Sequence, residues 1–346
     1  MSEENLSYAS AGVDIELAQH SLRSISDKLE STHTEAVIGG IGGFGSMFSA
    51  SFPEMSQPVL VSSIDGVGTK TKVAAMVGDS SSLGYDIVNH CVNDILCQGA
   101  RPLFFLDYFG CSQLDSLTFE QVVVGAAEAC QAVGCALVGG ETAEMPGVYA
   151  DGEIDIVGSI VGVVDFEKRL PRPKPNANDR LIGIASNGLH TNGFSLARKA
   201  LFEVGGYSVR DEMPDGSGTI GEALLKPHKC YFNQVYPLLQ EFSGIYSMAH
   251  ITGGGLYDNL PRVLPIDMQA RVIRRNWTPL PIFQMIQQAG GISDVEMFRA
   301  FNMGIGMVLV VDADEADQVV ARLNETDCHA AEIGKLQAGP KDVQII

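Results

Sequence analysis

Three stretches of the chain place acids, glycines and hydroxyls at spacings suited to phosphate and metal chemistry. The first is Ser63-Ile-Asp65-Gly66-Val67-Gly68-Thr69-Lys70, which follows a short β-branched run. Here a carboxylate able to ligate Mg²⁺ stands beside glycines that let the backbone approach phosphate oxygens, with a hydroxyl and an amine close behind. The segment is not a P-loop, because the GxxxxGK[ST] spacing is absent. The second is the stripe Asp86, His90 and Asp94, at i, i+4 and i+8, with Asn89 and Asn93 beside it. Residues at that spacing share one helix face. Asp94 is the stronger metal candidate. Asp86 and His90 read equally well as a solvated face, and a hard cation prefers oxygen to imidazole. The third is Gly139-Gly140-Glu141-Thr142-Ala143-Glu144-Met145-Pro146-Gly147, in which Glu141 is expected at a strand tip. Asp65, Asp94 and Glu141 together would repel one another unless a cation sat among them, and Mg²⁺ bridging nucleotide phosphates is the natural occupant.

The second half of the chain supplies two candidate anion-binding turns. Ser186-Asn-Gly-Leu-His190-Thr191-Asn192-Gly193 is expected to join a strand to a helix, with Asn192 as its N-cap, and free amides at such a start receive anions. His190 just before it is a candidate for proton transfer, or else a satisfied loop histidine. Thr252-Gly253-Gly254-Gly255 is a second glycine-rich turn, and nearby His250 reads as structural.

Alternating strands and helices must position these groups. Strands are expected at 59–64, 103–109, 135–138 and 154–164, and helices at 17–29, 83–98 and 118–133, the last opened by a Thr118 cap. Five glycines in Ile38–Gly45 read as a mobile loop. Prolines at alternate positions in Arg169–Asn178 forbid helix and central strand, which makes this the linker. Beyond it, strands are expected at 180–185, 269–274, 304–311 and 330–333. Helices are expected at 193–204, 221–242, 281–289, 295–301 and 315–324. The fold class is therefore mixed, α+β with α/β character, in two domains, 1–168 and 169–346.

Charge narrows the partners. The 346 residues carry 23 Lys and Arg against 42 Asp and Glu, a formal net charge of −19. Such a field disfavours nucleic acid and anionic membranes, so any phosphorylated ligand must be held locally. No apolar run is long enough to span a bilayer. Met1 to Ser10 lacks the basic start of a signal peptide. Seven scattered cysteines, none in a CxxC pair, suit a reducing cytoplasm.

Taken together, these motifs resemble those of the phosphoribosylformylglycinamidine cyclo-ligase family, the aminoimidazole ribonucleotide (AIR) synthetases. They run in family order: Tyr8–Asp14, Gly42-Gly-Phe-Gly45, Asp65–Lys70, Cys91–Asp94, Gln98–Ala100, Pro102–Tyr108, Gly139–Gly147, His190–Gly193 and His250–Gly255. The resemblance extends from about Tyr8 to about Leu336, and only the region near Lys28 aligns loosely. It implies a homodimer whose N-terminal domains pair their sheets into a shared barrel, beside an α/β C-terminal domain. It implies ATP-dependent ring closure of formylglycinamidine ribonucleotide to AIR in de novo purine synthesis. Mg²⁺ would sit on Asp65, Asp94 and Glu141. ATP would be held by Gly42, Gly43, Phe44, Gly45, Asp65, Gly66, Gly68, Thr69, Gly140 and Glu141, with Lys70 on its phosphates. Thr191, Asn192 and Gly193 would hold the substrate's 5′-phosphate, with Thr252, Gly253 and Gly254 as the second anion turn. Lys70, Asp94 and His190 would be the catalytic groups. Sister ATP-dependent enzymes are the rival reading: selenophosphate synthetases, thiamine-phosphate kinases and formylglycinamidine ribonucleotide synthetases. The first of these normally carry a reactive Cys or selenocysteine beside the glycine loop, and residues 38–50 contain no Cys. A nucleotide-binding regulator without turnover is the alternative outside enzymes.

Overall fold

The computed structural model describes residues 15–172 and 175–346. The Tyr8–Asp14 motif lies outside them. Two sheets fall on either side of residues 166–179. The first has four strands: β3 (Pro58–Gly66), β4 (Arg101–Cys111), β5 (Ala136–Glu144) and β6 (Ile154–Asp165), in the order β3-β6-β4-β5. A two-residue hairpin, β1 (Val37–Ile38) with β2 (Met47–Phe48), frames the glycine-rich loop. The second sheet has six strands: β7 (Arg180–Ala185), β8 (Ile245–His250), β9 (Met268–Val272), β10 (Ile305–Val311), β11 (Ala330–Ala338) and β12 (Val343–Ile345). Their order is β12-β9-β11-β7-β10-β8.

One face of the four-stranded sheet is covered by helices α4 (Ser81–Leu96) and α5 (Ser116–Ala132). Ile87, Cys91 and Ile95 of α4 are buried among the core side chains of this half. The two helices cross at Gly84, where a Cβ would stand 1.9 Å from the Val122 carbonyl oxygen, so only glycine fits. The other sheet face leaves Leu60 and Ile64 at 63% and 69% exposure.

Several elements differ from expectation for local reasons. The 17–29 helix is two, α1 (Ile15–Ser24) and α2 (Ser26–Glu30). Helix α5 starts at Ser116 because Asp115, not Thr118, caps it: its carboxylate accepts from the Thr118 amide at 2.8 Å. Strand β5 runs through Gly139-Gly140 to Glu144, so Glu141 lies within a strand. The 193–204 helix gives one short α segment, Phe194–Arg198, followed by a π turn at Lys199–Val204. The 221–242 region breaks into three short helices around Pro227 and Pro237. Strands β8 and β12 were not expected, and β11 extends to Ala338.

Candidate functional site between the two sheets

Helix α4 is the spine of the site. Its polar stripe is covered by the C-terminal half, not by water. Asn89 Nδ2 donates to the His228 carbonyl at 2.7 Å, and Asn93 Nδ2 to that of Lys229 at 2.8 Å. The amides of His228 and Tyr231 donate to Asp86 Oδ1 and Asn93 Oδ1 at 2.7 and 2.9 Å. Residues 228–231 therefore lie along α4 by hydrogen bonds, which disposes of the solvated-face reading for Asp86 and His90.

Lys70 does not face a phosphate site. As the first residue of helix α3 (Lys70–Val77), it is fully buried. Its ammonium contacts the Asp86 carboxylate at 2.8 Å and donates to the Lys226 carbonyl at 2.8 Å. Burial pushes Lys70 down and Asp86 up, each opposed by the other's charge. The role expected of Lys70 as a phosphate cation is corrected to that of a buried pair joining the two halves. Its neighbour Thr69 meets Ser195 of the C-terminal half, hydroxyl to hydroxyl, at 2.9 Å.

Asp65 and Asp94 end a chain of hydrogen bonds that crosses between the halves twice. Asp65 Oδ2 lies 3.0 Å from His90 Nε2, and His90 Nδ1 lies 2.7 Å from Thr191 Oγ1. Thr191 Oγ1 lies 3.3 Å from His228 Nδ1, whose Nε2 lies 2.9 Å from His250 Nε2. His250 Nδ1 then meets Asp94 Oδ1 at 2.8 Å. Each of these five contacts needs one proton between its heavy atoms. Three neutral imidazoles and one hydroxyl supply four, so with both carboxylates ionised one imidazole is an imidazolium. Assigned on this count, the charged ring is His90. Burial lowers its pKa, but the hydrogen bond with Asp65 and the charges of Asp94, Asp65 and Asp86 outweigh burial and raise it. Burial pushes His228 and His250 down. Asp65 and Asp94 stay below the usual carboxylate range. Burial opposes ionisation at both, but His90 lowers Asp65 and His250 lowers Asp94 by more.

His190 takes a left-handed φ of 63° and is buried, with no hydrogen-bond partner on either ring nitrogen among the described residues. It stacks on His228 with centroids 4.1 Å apart and planes at 23°. Burial and the charges of His250, Lys70 and His90 hold it well below its ordinary pKa, which makes it a poor proton store. Ring nitrogens of His190, His228 and His250 lie within 4.8 Å of one another, but both His228 nitrogens are already engaged with Thr191 and His250.

The two expected anion turns do meet. A Cβ on Gly253 would stand 3.3 Å from Asn192 Oδ1. Asn192 Nδ2 is buried without a partner among the described residues. Asn259 Nδ2 donates to the carbonyls of Thr252, Gly253 and Gly255 and holds that turn's acceptors inward. Gly193 is left-handed at φ 80°, with the Phe301 ring within 2.4 Å of where its Cβ would be. Through Thr191 and Thr69, this pair of turns sits against the segment that carries Asp65.

The remaining nucleotide candidates lie elsewhere. Gly42, Gly43, Phe44 and Gly45 line a cavity of about 630 Å³ with Asp107, Gly140 and Glu141, walled by Leu22, Leu29, Phe119 and Val123. Asp65, Gly158, Asp107 and Gly140 form one row across the sheet. Three strand spacings put Asp65 and Gly140 ~14 Å apart. Glu141 follows Gly140 and points to the opposite face. Glu141 thus does not join Asp65 and Asp94 around one ion, which corrects the expected acid trio. Asp94 instead has His90 and His250 as its metal-capable neighbours. Asp107 stood in a recognised motif without a role. Burial pushes its carboxyl up to about 7. His228 had no sequence signal, since it sits in the irregular stretch Lys226-Pro-His228-Lys-Cys-Tyr231.

Comparison with known proteins agrees with this architecture. Residues 52–164 match the N-terminal domain of AIR synthase related proteins, and residues 176–346 match the C-terminal domain. Among solved structures, thiamine-monophosphate kinase from Stenotrophomonas maltophilia K279a superimposes at TM-score 0.69 with 16% identity, over 93% of this chain and 95% of that one. The hydrogenase maturation protein HypE in complex with ATP superimposes at 0.65 with 19% identity, over 95% and 91%. Fold and site thus define a two-domain protein of the AIR synthase related class. The phosphoribosylformylglycinamidine cyclo-ligase of Geotalea uraniireducens is 46% identical over 349 residues, covering all of both chains. That of Pseudothermotoga lettingae is 47% identical over 338 residues, covering 98% and 99%. The chain belongs to the phosphoribosylformylglycinamidine cyclo-ligase family.

Proposed function

We propose that this chain uses ATP to close the imidazole ring of 5-aminoimidazole ribonucleotide from formylglycinamidine ribonucleotide. The observation that carries the assignment of roles is that Asp65, Asp94, Thr191 and the facing 191–193 and 252–254 turns meet at one place between the two halves. An amide oxygen is a poor leaving group. The formamide oxygen therefore takes the γ-phosphoryl group and ADP departs. The amidine nitrogen then attacks the resulting iminophosphate carbon, and phosphate leaves as the ring closes. Asn192 Nδ2 and the amides around Gly193 and Gly253 hold the 5′-phosphate, and the approach of the two reactants is set by the contact between halves. The hydrogen-bonded chain from Asp65 to Asp94 accommodates the amidine proton, with His90 as its charged member.

Asp65 and Asp94 suit a divalent ion. Among the described residues each carboxylate oxygen keeps a free lone pair beyond its single hydrogen bond, and both side chains are partly open, at 40% and 30% exposure. Mg²⁺ held there supplies charge neutralisation for the transferring phosphoryl group. The base and ribose of ATP belong in the cavity under Gly42–Gly45. Asp107 and Gly140 of its lining stand in the same strand row as Asp65, two and three strand spacings away. The exposed Leu60 and Ile64 face supports pairing of two such sheets in a homodimer. The same reading takes 1–168 as the ATP-binding and dimerisation domain and 169–346 as the C-terminal domain. It places the protein in the cytoplasm, in keeping with seven free thiols. No helix among the described residues is long and apolar enough to cross a membrane.

An ADP-release assay tests the reading against its rivals. ATP should be consumed with formylglycinamidine ribonucleotide, and not with selenide, with thiamine phosphate, or with formylglycinamide ribonucleotide plus glutamine. Turnover of one of those instead would transfer the assignment to that sister activity.

A further inference from the structure

A second concentration of charge lies far from the acids, on the six-stranded sheet. In a chain of net charge −19, a cavity of about 810 Å³ is lined by Arg180, Arg271, Arg274, Arg275 and Lys335. Among the described residues Glu332 is the one acidic side chain lining it, and Ile346, whose main-chain oxygen accepts from the Arg274 amide at 2.9 Å, lines it too. Strand register makes the arrangement specific. Lys335 of β11 lies directly opposite Arg271 of β9 on one side and Arg180 of β7 on the other. Three cations thus stand in one row at strand spacing, ~4.8 Å apart. Like charges directly opposite one another destabilise a sheet unless an anion lies over them.

Partial compensation is present at two of the five. Arg180 pairs with Glu332 at 2.8 Å, and Arg274 with Asp294 at 2.5 Å. Among the described residues, exposed Arg271 and Arg275 have no acidic partner, and Lys335 reaches only the Asn178 amide oxygen, at 3.0 Å. Trp277 and Ile273 add an apolar wall, with the indole fixed by its N–H donating to the Met303 carbonyl at 2.9 Å.

We propose that this face is a second anion site for the diphosphate group of a nucleoside polyphosphate. Planar guanidinium groups match phosphate oxygens two at a time, and a row of three cations suits a ligand carrying several adjacent charges. The wall formed by Trp277 accommodates the base.

The test is equilibrium binding of GTP, and separately of pyrophosphate, by calorimetry on the full chain. The site under Gly42–Gly45 is first filled with a non-hydrolysable ATP analogue. The wild type should bind one further GTP per chain, and pyrophosphate should compete with it. Arg271→Glu with Arg275→Glu should weaken this binding at least tenfold while leaving kcat/KM for ring closure unchanged. The acid placed opposite Lys335 forms a favourable cross-strand pair, so folding is not at risk. Arg275→Gln alone, weakening binding by a smaller factor, provides a second check. Absence of a further site at millimolar GTP, equal binding by wild type and double variant, or GTP binding that pyrophosphate does not displace would each overturn the proposal.

Discussion

His250 Nδ1 and Asp94 Oδ1 stand 2.8 Å apart, although the two residues come from different halves of the chain, one from strand β8 and the other from helix α4. Asp94 Oδ2 meanwhile accepts from Ser63 Oγ at 2.9 Å. One carboxylate is thus aligned by both halves and remains partly open. Asp94→Asn keeps the shape but loses the charge and one acceptor oxygen. It should lower kcat/KM at least ~10²-fold, the scale of losing one preorganised charged contact. Steady-state ADP release measures it, and near-normal turnover would remove Asp94 from the reaction.

Lys70 is predicted to matter for stability, not for ATP affinity. Lys70→Met leaves Asp86 buried without its counter-charge, which costs about 3–5 kcal/mol. Adding Asp86→Asn removes the stranded charge while keeping the acceptor for the His228 amide, and should recover much of the loss. Urea midpoints of the two variants check this. A single variant of wild-type stability with a raised KM for ATP would contradict the burial assignment.

The contrast between Lys70 and Asp94 explains what was legible in the sequence. Amphipathic periodicity located α4 and its polar stripe. It could not tell whether water or another part of the chain covers that stripe, because residues 228–231 lie more than 130 positions away and carry no periodic signal. Glu141 misled for the opposite reason. Two glycines after an apolar run read as a strand end, but β5 continues through them because Gly140 makes room for Asp107: a Cβ there would stand 2.3 Å from Asp107 Oδ1. Strand order decides which acids meet, and one-dimensional spacing does not contain strand order.

Asp107 should give the fold a pH dependence. Its carboxyl is pushed up to about 7 by burial in the folded chain. In the unfolded chain it titrates near ~3.9. Between those values the unfolded state binds fewer protons, so this group's contribution to stability falls as pH rises from about 4 to about 7 and is flat above. Relative to Asp107→Asn, the wild type should lose Tm across that window. Thermal melts of both proteins from pH 4 to 8 measure the difference, and a constant gap would contradict the buried acid.

Gly84→Ala should destabilise the N-terminal half. The added methyl meets the Val122 carbonyl oxygen at 1.9 Å and the Ala126 amide nitrogen at 2.4 Å, both backbone atoms that cannot swing away. Overpacking of this kind costs about 1–3 kcal/mol. The urea midpoint should fall accordingly, and an unchanged midpoint would mean that α4 and α5 can separate freely.

The most direct test of the central claim follows both products in one reaction, with ATP and formylglycinamidine ribonucleotide supplied to the wild type and to Asp94→Asn. The account predicts one aminoimidazole ribonucleotide formed per ADP released by the wild type, with both products falling together in the variant. ADP released without aminoimidazole formation, or a variant that forms both at the wild-type rate, would contradict it.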